Sequence, residues 1–488
     1  MNSFQNLDNL LVVPTGCGEQ TMATLTPNLY VLQYLQANNA LTKEIKEKIL
    51  KNLEIGYQRM LTYVHNDGSF SAFGENDKQG SMFLTAFVIR TFRQMKQYIF
   101  IDDDVVKKAI NWIVSHQLEN GCFDPMLHLF HEMGLASAKN QTTALTSYVL
   151  ISILETNTQI DNNVLTNAKK CIINDVTIDK YTLAISSYAL GLLNLTQEVK
   201  QRLDKLMELA ETSNGLLWWK QSDKSLSSNV EVSSYVLISL LHQDPVGNLG
   251  TASLIVRWLQ SQMNPSGAFY CTTDTVVGLD AISRYAILVN KKQPHVKIIL
   301  TTKTDERIIE ITKRDRTKTE VLPLSVYPNQ VKAKIQGDGC VSIQTVVNYY
   351  LDTPIGLDNL HLDIEVKPVN QKLKCSLIEL KPCVSYTALG QINMAIVEVN
   401  MPSGYAANEA SLYELITNAR DKGVKKFELR RNQVILYLTQ LGSNRVCLPF
   451  KIEENLIVEN VANGTVKFYD YYNPEASISK VRIIFMSN

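Results

Sequence analysis

Over residues 1 to about 290 one kind of turn keeps returning, and that recurrence limits the folds open to this chain more than any other feature. A polar residue, a glycine and an aromatic or apolar residue two further on recur at Asp67-Gly68-Ser69-Phe70, Asn120-Gly121-Cys122-Phe123, Asn214-Gly215-Leu216-Leu217 and Ser266-Gly267-Ala268-Phe269. The glycines lie 53, 94 and 52 residues apart, so the middle interval reads as two periods with one turn lost. Helical segments that resemble one another follow: Leu84-Thr85-Ala86-Phe87-Val88, Leu145-Thr146-Ser147-Tyr148-Val149, Ile185-Ser186-Ser187-Tyr188-Ala189 and Val232-Ser233-Ser234-Tyr235-Val236. Between them run amphipathic stretches, Leu41 to Tyr63 and Asp104 to His116, with apolar residues at helical spacing and charges elsewhere. Self-similar helix pairs at a fixed period predict an array, and an array that closes on itself is an α/α toroid, a double ring of helices.

Beyond Leu288 the composition changes at Lys291-Lys292-Gln293-Pro294. Val296 to Thr301, Arg307 to Ile311, Val331 to Ile335 and Val341 to Tyr349 are β-branched and often alternate, which predicts strands. A second β-rich block carries strands at Asn393 to Asn400, Phe427 to Leu429, Val434 to Thr439 and Val466 to Tyr471, and one helix at Glu409 to Ala419. The expected order is a helical domain over 1–290, a small β module over 291–370 and a β-sandwich over 371–488.

A chain of 488 residues with 45% hydrophobic residues has material for two to four cored domains. Lysine plus arginine and aspartate plus glutamate each number 48, which argues against nucleic acid or an anionic membrane as the main partner. No apolar run approaches the roughly 18 residues a membrane span requires, and Met1-Asn2-Ser3-Phe4 does not begin a signal peptide. The eight cysteines, at 17, 122, 171, 271, 340, 375, 383 and 447, contain no CxxC pair, so no metal or other cofactor is expected.

The chemistry is concentrated in Pro14-Thr15-Gly16-Cys17-Gly18-Glu19-Gln20. Side chains three residues apart meet on one face of a helical turn, and Gly16 and Gly18 remove the Cβ atoms that would stop the backbone folding tightly around the sulfur. If the Cys17 thiol displaces ammonia from the Gln20 carboxamide, the product is an internal thioester, an activated acyl group stored in the protein. The plainer reading is a glycine-flanked turn around an inert buried cysteine.

This PxGCGEQ segment resembles the signature of the thioester-containing proteins, the family of complement component three, alpha-2-macroglobulin and the insect thioester proteins, at every defined position. The resemblance extends along the whole chain. Tyr98 to Asp102, Asn120 to Phe123, Ser234 to Leu237 and Asp274 to Val277 look like stretches of the alpha-2-macroglobulin thioester domain. Gly337 to Cys340 looks like a CUB-type module, and Asn393 to Val397, Pro402 to Tyr405 and Tyr469 to Tyr472 look like the C-terminal macroglobulin, or receptor-binding, domain. It implies the C-terminal third of a longer secreted protein whose N-terminal macroglobulin domains, bait region and upstream half of the CUB module lie outside this sequence. Anaphylatoxin-like and netrin-like modules are also absent, so the likeness leans toward the alpha-2-macroglobulin and insect branch. A stoichiometric acyl donor rather than an enzyme is implied, acting as an opsonin that couples to microbial or other surfaces. The alternative is a macroglobulin-type protease trap cleared by a receptor through its last domain.

Family members shelter the thioester, and matching positions make Met401, Tyr405 and Tyr472 candidates for an apolar cover or, equally, plain core residues. Complement-like members pass the acyl group to a histidine about one hundred residues on, where alpha-2-macroglobulin has asparagine. The matching position is His131, with His128 as fallback because Gly134-Leu135 replaces the usual Gly-Gly. A neutral imidazole is nucleophilic near physiological pH, and the released Cys17 thiolate could then serve as base. The resemblance pairs Cys122 with Cys171, gives Cys340 a partner upstream of this sequence and allows a bond between Cys383 and Cys447, leaving Cys271 and Cys375 unassigned. Sequons at Asn140, Asn194 and Asn463 fit a secreted, glycosylated surface. Two other classes stay open. An α/α toroid also builds prenyltransferases and terpenoid cyclases, for which Asp102-Asp103-Asp104 is the only acidic run, and a pure interaction fragment needs no live thioester.

Overall fold

The structure is a computed structural model describing residues 11–481, except 38–40, 125–133, 157, 177–178, 222–225, 264–267, 271, 290–294, 312–321, 325–328, 339–342, 344–358, 371–376, 389–391, 393, 419–422, 431, 439–440, 457, 459–461 and 472. It divides into two compact units, Met1–Val346 and Val347–Asn488.

The described helices of the first unit are α1 (Gly18–Ala37), α2 (Lys43–Met60), α3 (Met82–Met95), α4 (Asp103–Ser115), α5 (Gly134–Ser137), α6 (Gln141–Glu155), α7 (Asn162–Ile173), α8 (Lys180–Leu192), α9 (Thr196–Glu208), α10 (Leu226–Gln243), α11 (Leu249–Gln262) and α12 (Thr272–Val289). Two kinds alternate. α2 buries Ile49, Leu53, Tyr57 and Met60 on one stripe and keeps its lysines and glutamates outside, as an amphipathic helix must. α1, α3, α6, α8 and α10 are buried along most of their length. These helices and α12 follow one another in contact, and α12 packs back on α1. The amphipathic α2, α4, α7, α9 and α11 each pack on the buried helix just before them. Side chains of Thr42, Ser81, Asp102, Asn140, Asp161 and Asp179 accept from the exposed N–H groups at the starts of α2, α3, α4, α6, α7 and α8.

The turns of the sequence repeat are clamps between successive helices. Gly68, Gly121 and Gly215 have φ of +89°, +86° and +74°, the left-handed region that glycine enters without penalty. The aromatic that follows plugs the core: Phe70 and Phe123 are fully buried and Phe269 nearly so. Each also donates its backbone N–H to a helix hydroxyl, Phe70 to Thr85 Oγ1, Phe123 to Thr146 Oγ1 and Phe269 to Thr275 Oγ1. In the third turn the equivalent donor is Trp219, to Ser233 Oγ, because the short hairpin of β1 (Glu211–Ser213) and β2 (Leu216–Trp218) lengthens the connection. Thr85, Thr146 and Ser233, of the recurring helical segments, and Thr275 thus each receive the N–H of a buried aromatic. Thr85→Val, which keeps the shape but strands the buried Phe70 N–H, is expected to cost about 1–3 kcal/mol in denaturant unfolding, and Thr85→Ser under about 1 kcal/mol.

A cluster of charges among the central helices, buried apart from the partly exposed Arg284, ties four of them together. Arg90 on α3 donates to Glu155 on α6 and to Asp280 on α12, the latter at 3.0 Å. Arg284 reaches Asp280 at 2.7 Å, Glu155 at 2.9 Å and the Tyr188 hydroxyl of α8 at 2.7 Å. Two cations and two carboxylates thus balance. A second link joins α8, α10 and α12, where Tyr181 and Thr273 donate to the buried Glu231 at 2.7 and 2.6 Å.

The same unit holds a sheet in which β3 (His295–Thr301) pairs antiparallel with β4 (Glu306–Ile311) and β5 (Lys332–Asp338) and buries Val296, Ile298 and Leu300. The expected strand at Val341 to Tyr349 falls almost entirely outside the described residues.

In the second unit the strands are β6 (Leu360–Asn370), β7 (Leu377–Tyr386), β8 (Ala395–Asn400), β9 (Tyr405–Ala407), β10 (Val424–Arg430), β11 (Gln433–Leu438), β12 (Val446–Cys447), β13 (Phe450–Glu454), β14 (Thr465–Asp470) and β15 (Asn473–Val481). One sheet runs β10-β11-β8-β14-β15, and the other runs β12-β7-β13-β9 with β6 also on β7. Val397, Val399, Leu436 and Phe468 of the first share one core with Leu380, Phe450 and Ile452 of the second. The helix α13 (Glu409–Asn418) adds Leu412 and Leu415 to it. β6 pairs with β7 from Leu360↔Tyr386 to Asn370↔Leu377. It therefore belongs to this unit, whereas the sequence reading began the sandwich at about residue 371.

Candidate functional site

Cys17 immediately precedes α1, and its carbonyl accepts the N–H of Thr21 at 2.8 Å, so it occupies the N-cap. Pro14, Gly16, Gly18, Glu19 and Gln20 are buried with it, and Cys17 and Gln20 are 0% and 1% exposed. The segment is fixed from several sides. Asn28 holds the Val12 carbonyl at 3.2 Å, the Gly18 N–H donates to the Ala72 carbonyl at 2.8 Å, and the Tyr63 hydroxyl and Arg59 Nη2 both donate to the Gly16 carbonyl at 2.5 Å.

The glycines are required by this geometry. Gly16 has φ of +91°, and a Cβ there would stand 2.0 Å from Gln20 Oε1. One on Gly18 would meet the Ser71 carbonyl oxygen at 2.6 Å. With both Cβ atoms absent, the Gln20 carboxamide folds back so that Oε1 accepts the Cys17 backbone N–H at 3.0 Å. Its nitrogen, Nε2, is buried with no hydrogen-bond partner among the described residues. A buried amide normally satisfies both ends. Here the oxygen is held and the nitrogen, the group lost as ammonia if a thioester closes, is not.

The helix start also suits the sulfur. The macrodipole of α1 makes its first turn electropositive, which favours a thiolate as nucleophile and as leaving group. Closure adds sulfur to Gln20 Cδ, breaks the Cδ–Nε2 bond and sends the thiol proton away with ammonia. Consumption by an amine is the reverse kind of step: nitrogen adds to Cδ, the C–S bond breaks and the amine proton ends on Cys17.

Other sequence candidates are distributed as follows. His131 and His128 lie outside the described residues, as do Tyr472, Cys271, Cys340 and Cys375. Met401 and Tyr405 are in the core of the second unit, 5% and 8% exposed, among the residues that hold its two sheets together. Disulfides join Cys122 to Cys171 and Cys383 to Cys447. Asn194 and Asn463 are exposed, whereas Asn140 is half-buried and caps α6 by accepting from the Thr143 N–H at 3.2 Å. In the acidic run, Asp102 caps α4 by accepting from the Asp104 N–H at 2.9 Å, and Asp103 pairs with Lys96 and Arg93. Those contacts give the run a structural use, unlike the free carboxylates a cyclase motif would present.

Arg59 and Tyr63 were not found by sequence reading. They lie 43 and 47 residues from Gly16, and in an amphipathic helix and the turn after it an arginine and a tyrosine look ordinary.

The A-macroglobulin TED domain matches residues 1–285, and the A-macroglobulin receptor binding domain matches residues 390–481. The chain is similar to ovostatin of Gallus gallus, 32% identical over 497 residues that cover 97% of this chain and 33% of that protein. It is also similar to alpha-2-macroglobulin-like protein 1 of Mus musculus, 30% identical over 505 residues covering 100% of this chain and 34% of the relative. The chain thus spans about a third of the length of these curated relatives.

Proposed function

Because the chain belongs to the alpha-2-macroglobulin family, we propose that it stores an acyl group as a Cys17–Gln20 thioester and spends it once, by covalent coupling to a nucleophile on another molecule. The observation that carries this reading is the folded-back carboxamide, with Oε1 on the Cys17 N–H and Nε2 buried without a partner among the described residues. The cycle of helices is read as an α/α toroid, the β3–β5 sheet as part of a CUB-type module and the second unit as a macroglobulin-type receptor-binding sandwich. Such a donor is stoichiometric, so the chain is not an enzyme. Two disulfides and two exposed sequons support secretion into an oxidising space.

Two uses of the acyl group follow from the resemblance. In an opsonin it tags microbial or other surfaces, with His131 passing it to hydroxyls. In a protease trap it captures amines of an enclosed protease, and the receptor-binding domain then serves clearance. Membership of the alpha-2-macroglobulin family supports the second use as much as the first. The acceptor separates them, since glycerol incorporation marks the hydroxyl route and methylamine alone the direct one.

The bond itself is tested on gently isolated full-length protein. Labelled methylamine is expected to add to Gln20 and to release one thiol, at Cys17, as read by peptide mass spectrometry. A native protein with an unmodified Gln20 and a titratable Cys17 thiol before treatment contradicts the proposal.

A further inference from the structure

The Gly16 carbonyl is bound far more heavily than a turn needs. It accepts from the Tyr63 hydroxyl at 2.5 Å, from Arg59 Nη2 at 2.5 Å and from Arg59 Nε at 3.1 Å. Arg59 Nε also donates to Thr21 Oγ1 at 3.2 Å, which fixes the guanidinium against the first turn of α1. Tyr63 is 3% exposed. The other end of the same peptide unit is the Cys17 N–H, and that N–H donates to Gln20 Oε1 at 3.0 Å.

We infer that Arg59 and Tyr63 are positioning residues that act on the acyl group through the Gly16–Cys17 peptide, making its N–H a strong, fixed donor to the Gln20 carbonyl oxygen. A charge-assisted pair of hydrogen bonds and a phenol draw electron density onto the Gly16 oxygen. Amide resonance then depletes the nitrogen of the same peptide, so its N–H donates more strongly, as bonds in a chain polarise one another. The recipient is the oxygen that turns negative when sulfur adds to Cδ as the thioester closes, and again when an amine adds to open it. A preformed donor at that oxygen lowers the barrier of both steps. In both the electron pair returns from oxygen as the C–N or C–S bond breaks, so the relay moves no proton.

The inference rests on the thioester reading, and its test separates the two. Full-length protein is produced with glutamine labelled by carbon-13 at the side-chain carbonyl, and the infrared spectrum is taken before and after methylamine. The difference isolates the thioester carbonyl. Tyr63→Phe removes one donor without changing shape, Arg59→Gln removes the charge, and Arg59→Lys restores a charged donor. The expected result is a carbonyl stretch at higher frequency in Tyr63→Phe and Arg59→Gln, methylamine uptake slowed about three- to tenfold, and partial return of both in Arg59→Lys. An unchanged frequency in Tyr63→Phe overturns the inference whatever happens to the rate, because a loop merely held in place alters access to the bond and not its polarisation. A wild-type protein with no methylamine-sensitive carbonyl overturns the thioester reading and the relay together.

Discussion

Gly16→Ala is expected to abolish the methylamine-reactive bond, with uptake at Gln20 falling at least about a hundredfold while the helical domain still folds. A Cβ at position 16 would lie 2.0 Å from Gln20 Oε1, 2.8 Å from its Cβ and 2.9 Å from Cδ, so the whole carboxamide is displaced, including the carbon that must receive the sulfur. A shift of about 1 Å in a reacting group is enough for a loss of that order. The φ of +91° adds strain that alanine cannot relieve without rotating the same peptide whose N–H holds Oε1. Gly18→Ala should act similarly for a different reason, since the obstruction at 2.6 Å is the Ser71 backbone. Gly250 is the control: a Cβ there meets nothing within 4 Å, so Gly250→Ala should leave uptake unchanged and stability unchanged or slightly improved. The readouts are methylamine stoichiometry and a circular dichroism melt on each protein. Wild-type uptake by Gly16→Ala would mean that the folded-back carboxamide is not the geometry of closure.

How much of this could be read in advance depended on whether a signal was local. The proximity of Cys17 and Gln20 was legible because residues three apart on one turn need only the glycines beside the cysteine to meet. The helical domain was legible because its turns repeat, although the role of Thr85 and its counterparts, receiving the N–H of each plug residue, emerged only with the third dimension. Arg59 and Tyr63 were not legible, since their target is reached by packing α2 against the start of α1 and no spacing announces it. β6 was not read as a strand, and its place in the second unit follows from its pairing with β7, which no local signal announces. The charged cluster had a faint signal. Arg90 is the one charged residue among the first eleven of α3, Met82 to Phe92, which are otherwise apolar or threonine, and a lone charge on a helix buried all round requires a partner.

That requirement gives the second large effect. Arg90→Met should lower stability by about 3–5 kcal/mol, because it removes one of two cations and leaves Glu155 and Asp280 to share Arg284. The side chains of Arg90, Glu155 and Asp280 are only 4%, 11% and 7% exposed, so water cannot make up the loss. Removing the partners together should cost much less than removing Arg90 alone, since the penalty lies in uncompensated charge and not in the missing pair. The pH dependence fixes the sign. Burial by itself would raise the Glu155 carboxyl, but Arg90 and then Arg284 hold it down, to about 2 against an ordinary 4.5. A carboxylate depressed by folding contributes stability that is complete above the unfolded value and is lost as pH falls from about 4.5 toward about 2. Without Arg90 the folded-state value rises, the variant takes up a proton earlier, and its deficit relative to the wild type narrows through that window. Melting curves of the two proteins at pH 7 and at steps down to pH 3 measure this directly. A gap that stays constant as the pH falls would show that Arg90 acts through packing volume, and a gap near zero at pH 7 would show that its charge is not needed to hold the two carboxylates inside the helices.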